Sequence, residues 1–235
     1  MSVINKRYLQ DDYIQKNPTW DSEDSPWKAK QVSLILKKAQ LEPELVCEVG
    51  CGAGKILEVL ARYYPKSSFY GYDIAPSVKK FWVDILAPNV HLKVGDFFND
   101  DSNHYDLILL LDVLEHVADP HAFLENTRSR CSHLVIHFPL DLSVSSVLRE
   151  KPLLNVRRKV GHIHYFTKNI ALDLLEECGY EVLDCQYTGA CFTAPQMSLK
   201  TRLAQWPRRI VSLFNKDFGV RLLGGETLIV LAKPK

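Results

Sequence analysis

Short apolar runs alternate with segments of helical periodicity along most of the chain. The runs are Leu45–Val49, Ser68–Tyr72, Val90–Val94, Tyr105–Leu111, His133–Phe138, Tyr180–Tyr187 and Thr227–Ala232. This alternation predicts a mostly parallel sheet with helices on both faces, a doubly wound α/β fold. The fourth run, YDLILLL, is apolar throughout, as expected for a central strand that is buried on both faces.

Helical patterns occupy most of the intervening segments. They cover Trp27–Gln40, Ala53–Tyr64, Pro76–Leu86 and Pro120–Arg130, and a further helix is capped by Thr167 and ended by Gly179. The first of these begins well, with Ser25-Pro26 before it, and Thr167 and Gly179 are typical residues at a helix start and end. The helices therefore alternate with the strands as the doubly wound fold requires.

Three segments fall outside the alternation: residues 1–40, 139–166 and 189–225. We predict an N-terminal helical segment or lid over 1–40 and one domain over 41–235 that carries the other two as inserts. Both inserts follow predicted strands, and ligands of doubly wound sheets lie at the carboxyl ends of the strands. The inserts can therefore form a lid over a site at that edge.

The insert 189–225 contains an amphipathic pattern with basic residues in between. Its apolar positions are Leu199, Leu203, Trp206, Ile210, Leu213 and Phe214, and its basic positions are Lys200, Arg202, Arg208, Arg209 and Lys216. Such a helix can cap a sheet, bind an anionic substrate or lie on a membrane surface. We favour the first role over the second and the second over the third, and Pro207 is a candidate kink.

The composition limits the class of protein but does not identify its function. Apolar residues make up 46% and charged residues 24% of the chain, the N-terminus lacks the apolar core of a signal peptide, and no apolar run is long enough to span a membrane. We therefore expect a cytoplasmic protein, monomeric or homodimeric, whose six dispersed cysteines are free thiols. The net charge of +1 argues against a protein that is basic all over, and with no recognisable RNA-binding module we expect no nucleic-acid partner.

The segment VCEVGCGAGKILEVLA carries the most specific motif. Gly50, Gly52 and Gly54 join the first strand to a helix, where glycines permit positive φ and the close approach of a ligand to the backbone. A dinucleotide fingerprint would need a third glycine at the position of Lys55. The pattern is instead acidic-x-Gly-x-Gly-x-Gly, led by Glu48.

Three further segments accompany this motif: FYGYD after strand two, VGDFF after strand three and LLLDVLEHV after strand four. With these segments the chain resembles the class I S-adenosylmethionine-dependent methyltransferases. The later segment GHIHYFT is similar to one found in small-molecule members, including the ubiquinone-type O-methyltransferases. The resemblance covers about two thirds of the chain. It implies a Rossmann-like, mostly parallel seven-stranded sheet whose last strand is antiparallel.

The resemblance also implies which residues hold S-adenosylmethionine. Asp73 would accept from the two ribose hydroxyls and Asp96 from the adenine amino group, with Phe97 against the ring. Asp112 and Val113 would line the methionine half of the cleft. The expected cofactor-binding residues are Glu48, Gly50, Cys51, Gly52, Gly54, Asp73, Ile74, Asp96, Phe97, Asp112 and Val113.

Methyl transfer from a sulfonium needs a positioned nucleophile and a group that takes its proton. His116, after the fourth strand, is our first candidate for the base and His164 the second, whereas His137 within the fifth strand reads as a buried core histidine. His162 and His164 have the spacing of a weak metal pair without a third ligand, so we expect no metal and metal-independent catalysis.

The sequence says least about the molecule that accepts the methyl group. Trp20 is a candidate substrate contact in the aromatic N-terminal segment. Arg157 and Arg158 lie in a stretch, Arg149–Lys168, with six Lys/Arg against one acidic residue, and forked guanidinium groups suit a phosphate or carboxylate. We expect methyl transfer to an O or N atom of a small, possibly anionic, metabolite. Methylation of RNA or protein, and binding of the cofactor without turnover, remain alternatives.

Overall fold

The computed structural model describes residues 6–10, 12–100, 102–195 and 205–235. Its strands are β1 (Leu45–Val49), β2 (Ser68–Asp73), β3 (Val90–Val94), β4 (Tyr105–Leu111), β5 (Cys131–Pro139), β6 (Tyr180–Tyr187) and β7 (Thr227–Pro234). They form one sheet in the order β3-β2-β1-β4-β5-β7-β6, in which β7 runs antiparallel to β5 and β6. The predicted fold class, including the antiparallel last strand, is confirmed.

The helices connect the strands and cover the sheet. They are α1 (Lys6–Leu9), α2 (Asp12–Lys16), α3 (Ser25–Lys38), α4 (Lys55–Tyr63), α5 (Lys79–Trp82), α6 (Phe97–Asp100), α7 (Pro120–Arg128), α8 (Val144–Arg149), α9 (Lys151–Lys159), α10 (Lys168–Glu177), α11 (Ala190–Thr193), α12 (Gln205–Phe214) and α13 (Lys216–Leu223). Within the described ranges, no helix combines the length and the hydropathy that crossing a membrane requires.

Strand β4 shows why the sheet is buried on both faces. Ile108 and Leu110 belong to one apolar cluster, which includes Leu124 of α7 and Leu175 of α10. The alternate residues of β4 belong to a second cluster, on the other face, together with residues of α3 and α4. Since successive side chains of a strand point to opposite faces, an unbroken apolar strand needs a layer of helices on each side.

The N-terminal segment divides into two parts with different surroundings. Helix α3 packs into the core, where Ala29, Val32 and Ile35 have no exposed surface. The preceding residues, including Tyr13 and Trp20, instead cover a cavity at the carboxyl edge of the sheet. The predicted boundary at residue 40 therefore places two different parts in one unit: a helix of the core and a segment that covers the cavity.

Two predicted segments differ from the structure. The helix expected over Pro76–Leu86 is a 3₁₀ turn followed by the short α5, and Leu86 beyond it is 83% exposed, so that segment has no buried apolar face to extend it. The insert 139–166 contains two helices. Ser143 caps α8 through a capping box, and a positive φ of 52° at Glu150 separates α8 from α9.

Parts of both inserts lie beside the carboxyl edge of the sheet, since Val160, His162 and Ala190 line a cavity there. The predicted amphipathic helix is present as α12, in which Pro207 is the third described residue and Trp206 and Phe214 are largely exposed. Leu199, Lys200, Arg202 and Leu203 lie outside the described residues. All six cysteines are free, as predicted.

Candidate functional site

Two cavities open at the carboxyl ends of the parallel strands, the edge at which doubly wound folds bind ligands. The first cavity, of about 370 Å³, lies against the ends of β1, β2, β3 and β4. The second cavity, of about 300 Å³, lies between the end of β1, helix α3 and the two inserts. The residues that line both are Tyr13, Trp20, Gly50, Asp112 and His116. The cavities are therefore neighbours that meet beside the end of β4.

The glycine loop after β1 forms part of the wall of both cavities. Gly50, Gly52 and Gly54 have φ values of 78°, 50° and 71°, which explains why glycine stands at each. A Cβ atom on Gly52 would lie 2.5 Å from the Trp20 indole, and one on Gly50 would lie 2.8 Å from Val113. Gly54 begins α4 and lines neither cavity.

Asp73 at the end of β2 ties the glycine loop to the sheet. Its Oδ2 accepts from the Gly52 amide at 2.8 Å and its Oδ1 accepts from the Ala75 amide at 2.9 Å. Burial raises the pKa of this carboxyl to about 6, against the opposing effect of the two amide bonds. Each oxygen keeps a free lone pair, so the carboxylate can also accept from a ligand in the first cavity.

The other predicted cofactor residues divide between the two cavities. Ile74, Asp96, Phe97 and Val113 line the first, and Glu48 and Cys51 line the second. Asp96 accepts from the Phe98 amide and from the Asn99 side chain. Phe97 is buried, with its ring centroid 5.5 Å from that of Tyr72.

Asp112 is at the centre of a partly buried ionic network. Its two oxygens lie 2.6 Å from Lys28 Nζ and 2.6 Å from His137 Nδ1, and His137 Nε2 bonds to Thr227. Burial alone would raise the pKa of Asp112, but the adjacent His137 and Lys28 hold it well below its usual value. His137 is thus a buried, hydrogen-bonded histidine as predicted. Lys28, from α3, was not predicted.

His116 stands at the junction of the two cavities, with a ring that is 16% exposed. Burial, reinforced by the neighbouring His162, lowers the pKa of His116 to about 4, so its ring is neutral at physiological pH. The two imidazole rings lie 5.0 Å apart, edge to face.

The GHIHYFT segment reaches His116 through the backbone. The amides of Ile163 and His164 donate to the Glu115 carbonyl at 2.8 and 3.2 Å, which fastens the segment to the turn after β4. Glu115, His116 and His162 each offer an atom that could bind a metal, all within 4.8 Å of one another. The spacing of His162 and His164 along the chain gives no sign of this group, because Glu115 and His116 come from a distant segment.

Four predicted site residues, Gly54 among them, line neither cavity. His164 lines neither, and its Nε2 donates to the Val117 carbonyl at 2.9 Å. Arg157 and Arg158 are exposed on α9 and line neither cavity. The backbone carbonyls of these two arginines accept from Arg7 and Lys16, which holds α9 to the N-terminal segment. Arg157 Nη1 donates to the Ile163 carbonyl at 3.4 Å. Contact of the two arginines with an acceptor stays a prediction.

The second cavity is acidic. Among its described lining residues are the carboxyl groups of Asp21, Asp24, Glu48, Asp112 and Glu115, against the single ammonium of Lys28. Burial raises the pKa of Glu48 to about 8, and its Oε2 is buried without a hydrogen-bond partner among the described residues. Ligands that carry positive charge or donate hydrogen bonds suit such a wall better than anions do.

The strand order and the two cavities define the class of protein: a Rossmann-like methyltransferase fold with a glycine loop and an acidic residue after each of β2 and β3. A family model described as a methyltransferase domain matches residues 25–184, more than half of the chain. The chain belongs to this methyltransferase family, and its predicted resemblance to class I S-adenosylmethionine-dependent methyltransferases is confirmed. The match begins at α3, the helix that packs into the core.

Curated relatives are similar to parts of the chain. A ubiquinone biosynthesis O-methyltransferase of Xanthomonas axonopodis pv. citri is 32% identical over 46% of this chain and 49% of its own length. The corresponding protein of Coxiella burnetii is 28% identical over 41% and 42%. A malonyl-[acyl-carrier protein] O-methyltransferase of Anoxybacillus flavithermus is 29% identical over 32% and 29%. The chain thus spans less than half the length of each of these three relatives.

Solved structures share the fold over nearly the whole chain. The plantazolicin methyltransferase BpumL, in complex with a monoazolic desmethylPZN analog and SAH, has a TM-score of 0.65 at 15% identity, covering 99% of this chain and 94% of its own. The magnesium protoporphyrin IX methyltransferase of Synechocystis PCC 6803 has a TM-score of 0.59 at 18% identity, covering 89% and 83%. At these identities the likeness is one of fold.

Proposed function

We propose that this chain is an S-adenosylmethionine-dependent methyltransferase that methylates an O or N atom of a small molecule. One observation carries the proposal: Gly50, Asp73, Asp96 and Val113, which come from the ends of four different strands, line one cavity. That cavity meets a second one at Asp112 and His116. The family membership and the relatives named as O-methyltransferases support the same reaction class.

The first cavity is the proposed cofactor site. When bound, S-adenosylmethionine supplies an electrophilic methyl group on a sulfonium. Asp73 offers two carboxylate oxygens to the ribose, and Asp96 and Phe97 offer a hydrogen-bond acceptor and an apolar surface to the adenine. Gly50 brings backbone close to the ligand, and Ile74 and Val113 add apolar contacts. Cys51 and Gly52, which follow Gly50 in the loop, line the neighbouring second cavity. A volume of about 370 Å³ is within the range of small-molecule sites.

The second cavity is the proposed acceptor site. Trp20, Asp112 and His116 line both cavities, so an acceptor in the second cavity is next to a ligand in the first. Holding the two reactants side by side is the main contribution that the protein makes to an in-line displacement. His116, with its neutral ring at the junction, is better positioned than His164 to take the proton of the acceptor.

The charge of the second cavity bears on the acceptor. Lys28 carries the one ammonium among its described lining residues and is already paired with Asp112, so the lining offers no free ammonium to an acceptor with negative charge. Arg157 and Arg158 are exposed and line neither cavity, which gives no support to an anionic acceptor held by these residues. A neutral or cationic acceptor with a hydroxyl or amino group fits the lining best.

Thermal unfolding with and without ligand tests the cofactor proposal. S-adenosylmethionine and S-adenosylhomocysteine should both raise the melting temperature, since a ligand of the native state stabilises it by mass action. NAD at the same concentration is the matched control and should give no comparable shift. A shift with NAD and none with S-adenosylhomocysteine would overturn the proposal. Formation of S-adenosylhomocysteine when candidate acceptors are added separates an enzyme from a protein that only binds the cofactor.

A further inference from the structure

Three side chains converge at the second cavity, and one of them, His116, also lines the first. Glu115 and His116 come from the turn after β4, and His162 comes from the segment after α9. The Nε2 atoms of His116 and His162 each lie 3.9 Å from the same oxygen, Glu115 Oε1. The side chain of Glu115 is fully buried, and those of His116 and His162 are 16% and 12% exposed.

The distances fit a shared cation better than direct hydrogen bonds. A hydrogen bond requires about 3.2 Å or less between the heavy atoms, and 3.9 Å is too long. Two bonds of about 2.1 Å from a metal ion to nitrogen or oxygen can span up to about 4.2 Å, so an ion between each pair of atoms is within reach. The third separation, between the two histidines, is within the 4.8 Å that encloses the whole group.

Glu115 is an independent sign of a missing partner. Both of its carboxylate oxygens are buried and neither has a hydrogen-bond partner among the described residues. A buried charged group without a partner is costly, and buried charges in proteins are paired or coordinate metals. The Nδ1 atom of His116 is likewise buried without a hydrogen-bond partner among these residues.

The surroundings orient the group as the outer shell of a metal site does. Asp141 Oδ2 lies 2.5 Å from His162 Nδ1, which fixes the proton of the ring on Nδ1 and leaves Nε2 free to bind. A carboxylate behind a histidine ligand is a recurrent feature of metal sites. The backbone bonds from Ile163 and His164 to Glu115 hold the two segments in register, so the group does not depend on mobile side chains alone.

We propose that Glu115, His116 and His162 bind a divalent cation, zinc or a first-row transition metal rather than magnesium, with open positions that face the second cavity. Two imidazoles and one carboxylate form a donor set that suits these ions. Three protein ligands leave coordination positions free, as in catalytic sites. An oxygen of the methyl acceptor is the ligand that the open position takes.

The acceptor part of this inference rests on the proposed function, whereas the binding of the cation does not. It also changes the expectation of metal-independent catalysis. A ring nitrogen bound to a cation cannot accept a proton, so the roles of His116 as base and as ligand exclude each other.

Metal binding to the full-length protein tests the inference directly. The protein is depleted of metal by chelation, dialysed, and titrated with Zn²⁺ by calorimetry and with Co²⁺ by visible absorption. The wild type should bind about one ion per chain. Glu115→Gln and His162→Gln should each weaken binding more than about 100-fold, and Asp141→Asn about 10- to 100-fold.

His121→Gln is the matched control, because His121 forms a histidine–carboxylate pair with Glu177 at 3.4 Å on the exposed surface, away from both cavities. It should bind the ion as the wild type does. Thermal stabilisation by S-adenosylhomocysteine checks that each variant is folded and reports on the first cavity independently of the ion.

The outcomes separate the two proposals. Absence of stoichiometric binding to the wild type, or binding that Glu115→Gln and His162→Gln leave unchanged, overturns the metal site. Ion binding that these variants abolish, in a protein that does not respond to S-adenosylhomocysteine, supports the metal site and contradicts the proposed methyltransferase function. If both variants fail to fold, the Co²⁺ titration of the folded Asp141→Asn protein decides: affinity weakened about 10- to 100-fold supports the metal site, and unchanged affinity overturns it.

Discussion

Glu48 allows a quantitative test of the electrostatics of the second cavity. It is 1% exposed, its Oε2 has no hydrogen-bond partner among the described residues, and burial raises its pKa from 4.5 to about 8. The folded protein therefore binds a proton that the unfolded protein has lost between these two pH values. For an acid with a raised pKa, stability is greatest below pH 4.5 and falls as the pH rises through about 8.

The expected magnitude follows from the two pKa values. Each pH unit with one extra bound proton changes the free energy of unfolding by about 1.4 kcal/mol. Between pH 5 and pH 8, after allowance for partial titration at both ends, Glu48 should lower the stability of the ligand-free protein by about 3.5 kcal/mol. Asp73, whose pKa is raised to about 6, acts in the same direction.

The perturbation is Glu48→Gln, which keeps the shape of the side chain and cannot ionise. Urea unfolding at pH 5, 6, 7 and 8 gives the free energy of unfolding of each protein. Over this pH range, the free energy of unfolding of the variant should fall by about 3.5 kcal/mol less than that of the wild type. Glu181→Gln is the matched control, since the exposed Glu181 pairs with Lys233 at the surface, and it should follow the wild type. Parallel curves for wild type and Glu48→Gln would refute the reasoning.

Two further predictions concern the ligands. Asp73→Asn should weaken binding of S-adenosylhomocysteine about 10- to 150-fold in calorimetry, because hydrogen bonds to a charged acceptor contribute about 1.5–3 kcal/mol; unchanged affinity would remove Asp73 from the cofactor site. The double variant Arg157→Ala/Arg158→Ala should change the acceptor KM by less than about twofold, since exposed residues outside both cavities have small effects. A large rise in KM at constant kcat would instead restore the arginines to the acceptor site.

The amino-acid sequence by itself determined most of the sheet and one side of the site. Strands such as Tyr105–Leu111 were predicted with the bounds that the structure has, because an apolar run of strand length is a local signal. The glycine loop and Asp73 were also predicted from a local signal, since a strand end, a positive φ and an acidic residue occur at fixed spacing. The short α5 and the helices of the insert 139–166 were missed, since helix length there depends on which faces are buried.

Only the tertiary structure decided what surrounds the second cavity. Lys28 meets Asp112 because α3 packs beside the end of β4, and no spacing in the sequence records this contact. His162 groups with Glu115 and His116, and not with His164 as the spacing had suggested, because backbone hydrogen bonds fasten its segment to the turn after β4. Arg157 and Arg158 were expected at the site from their position in the chain, yet both are exposed on α9 and line neither cavity. Periodicity and spacing report on neighbours along the chain, whereas a contact between distant segments depends on how those segments dock.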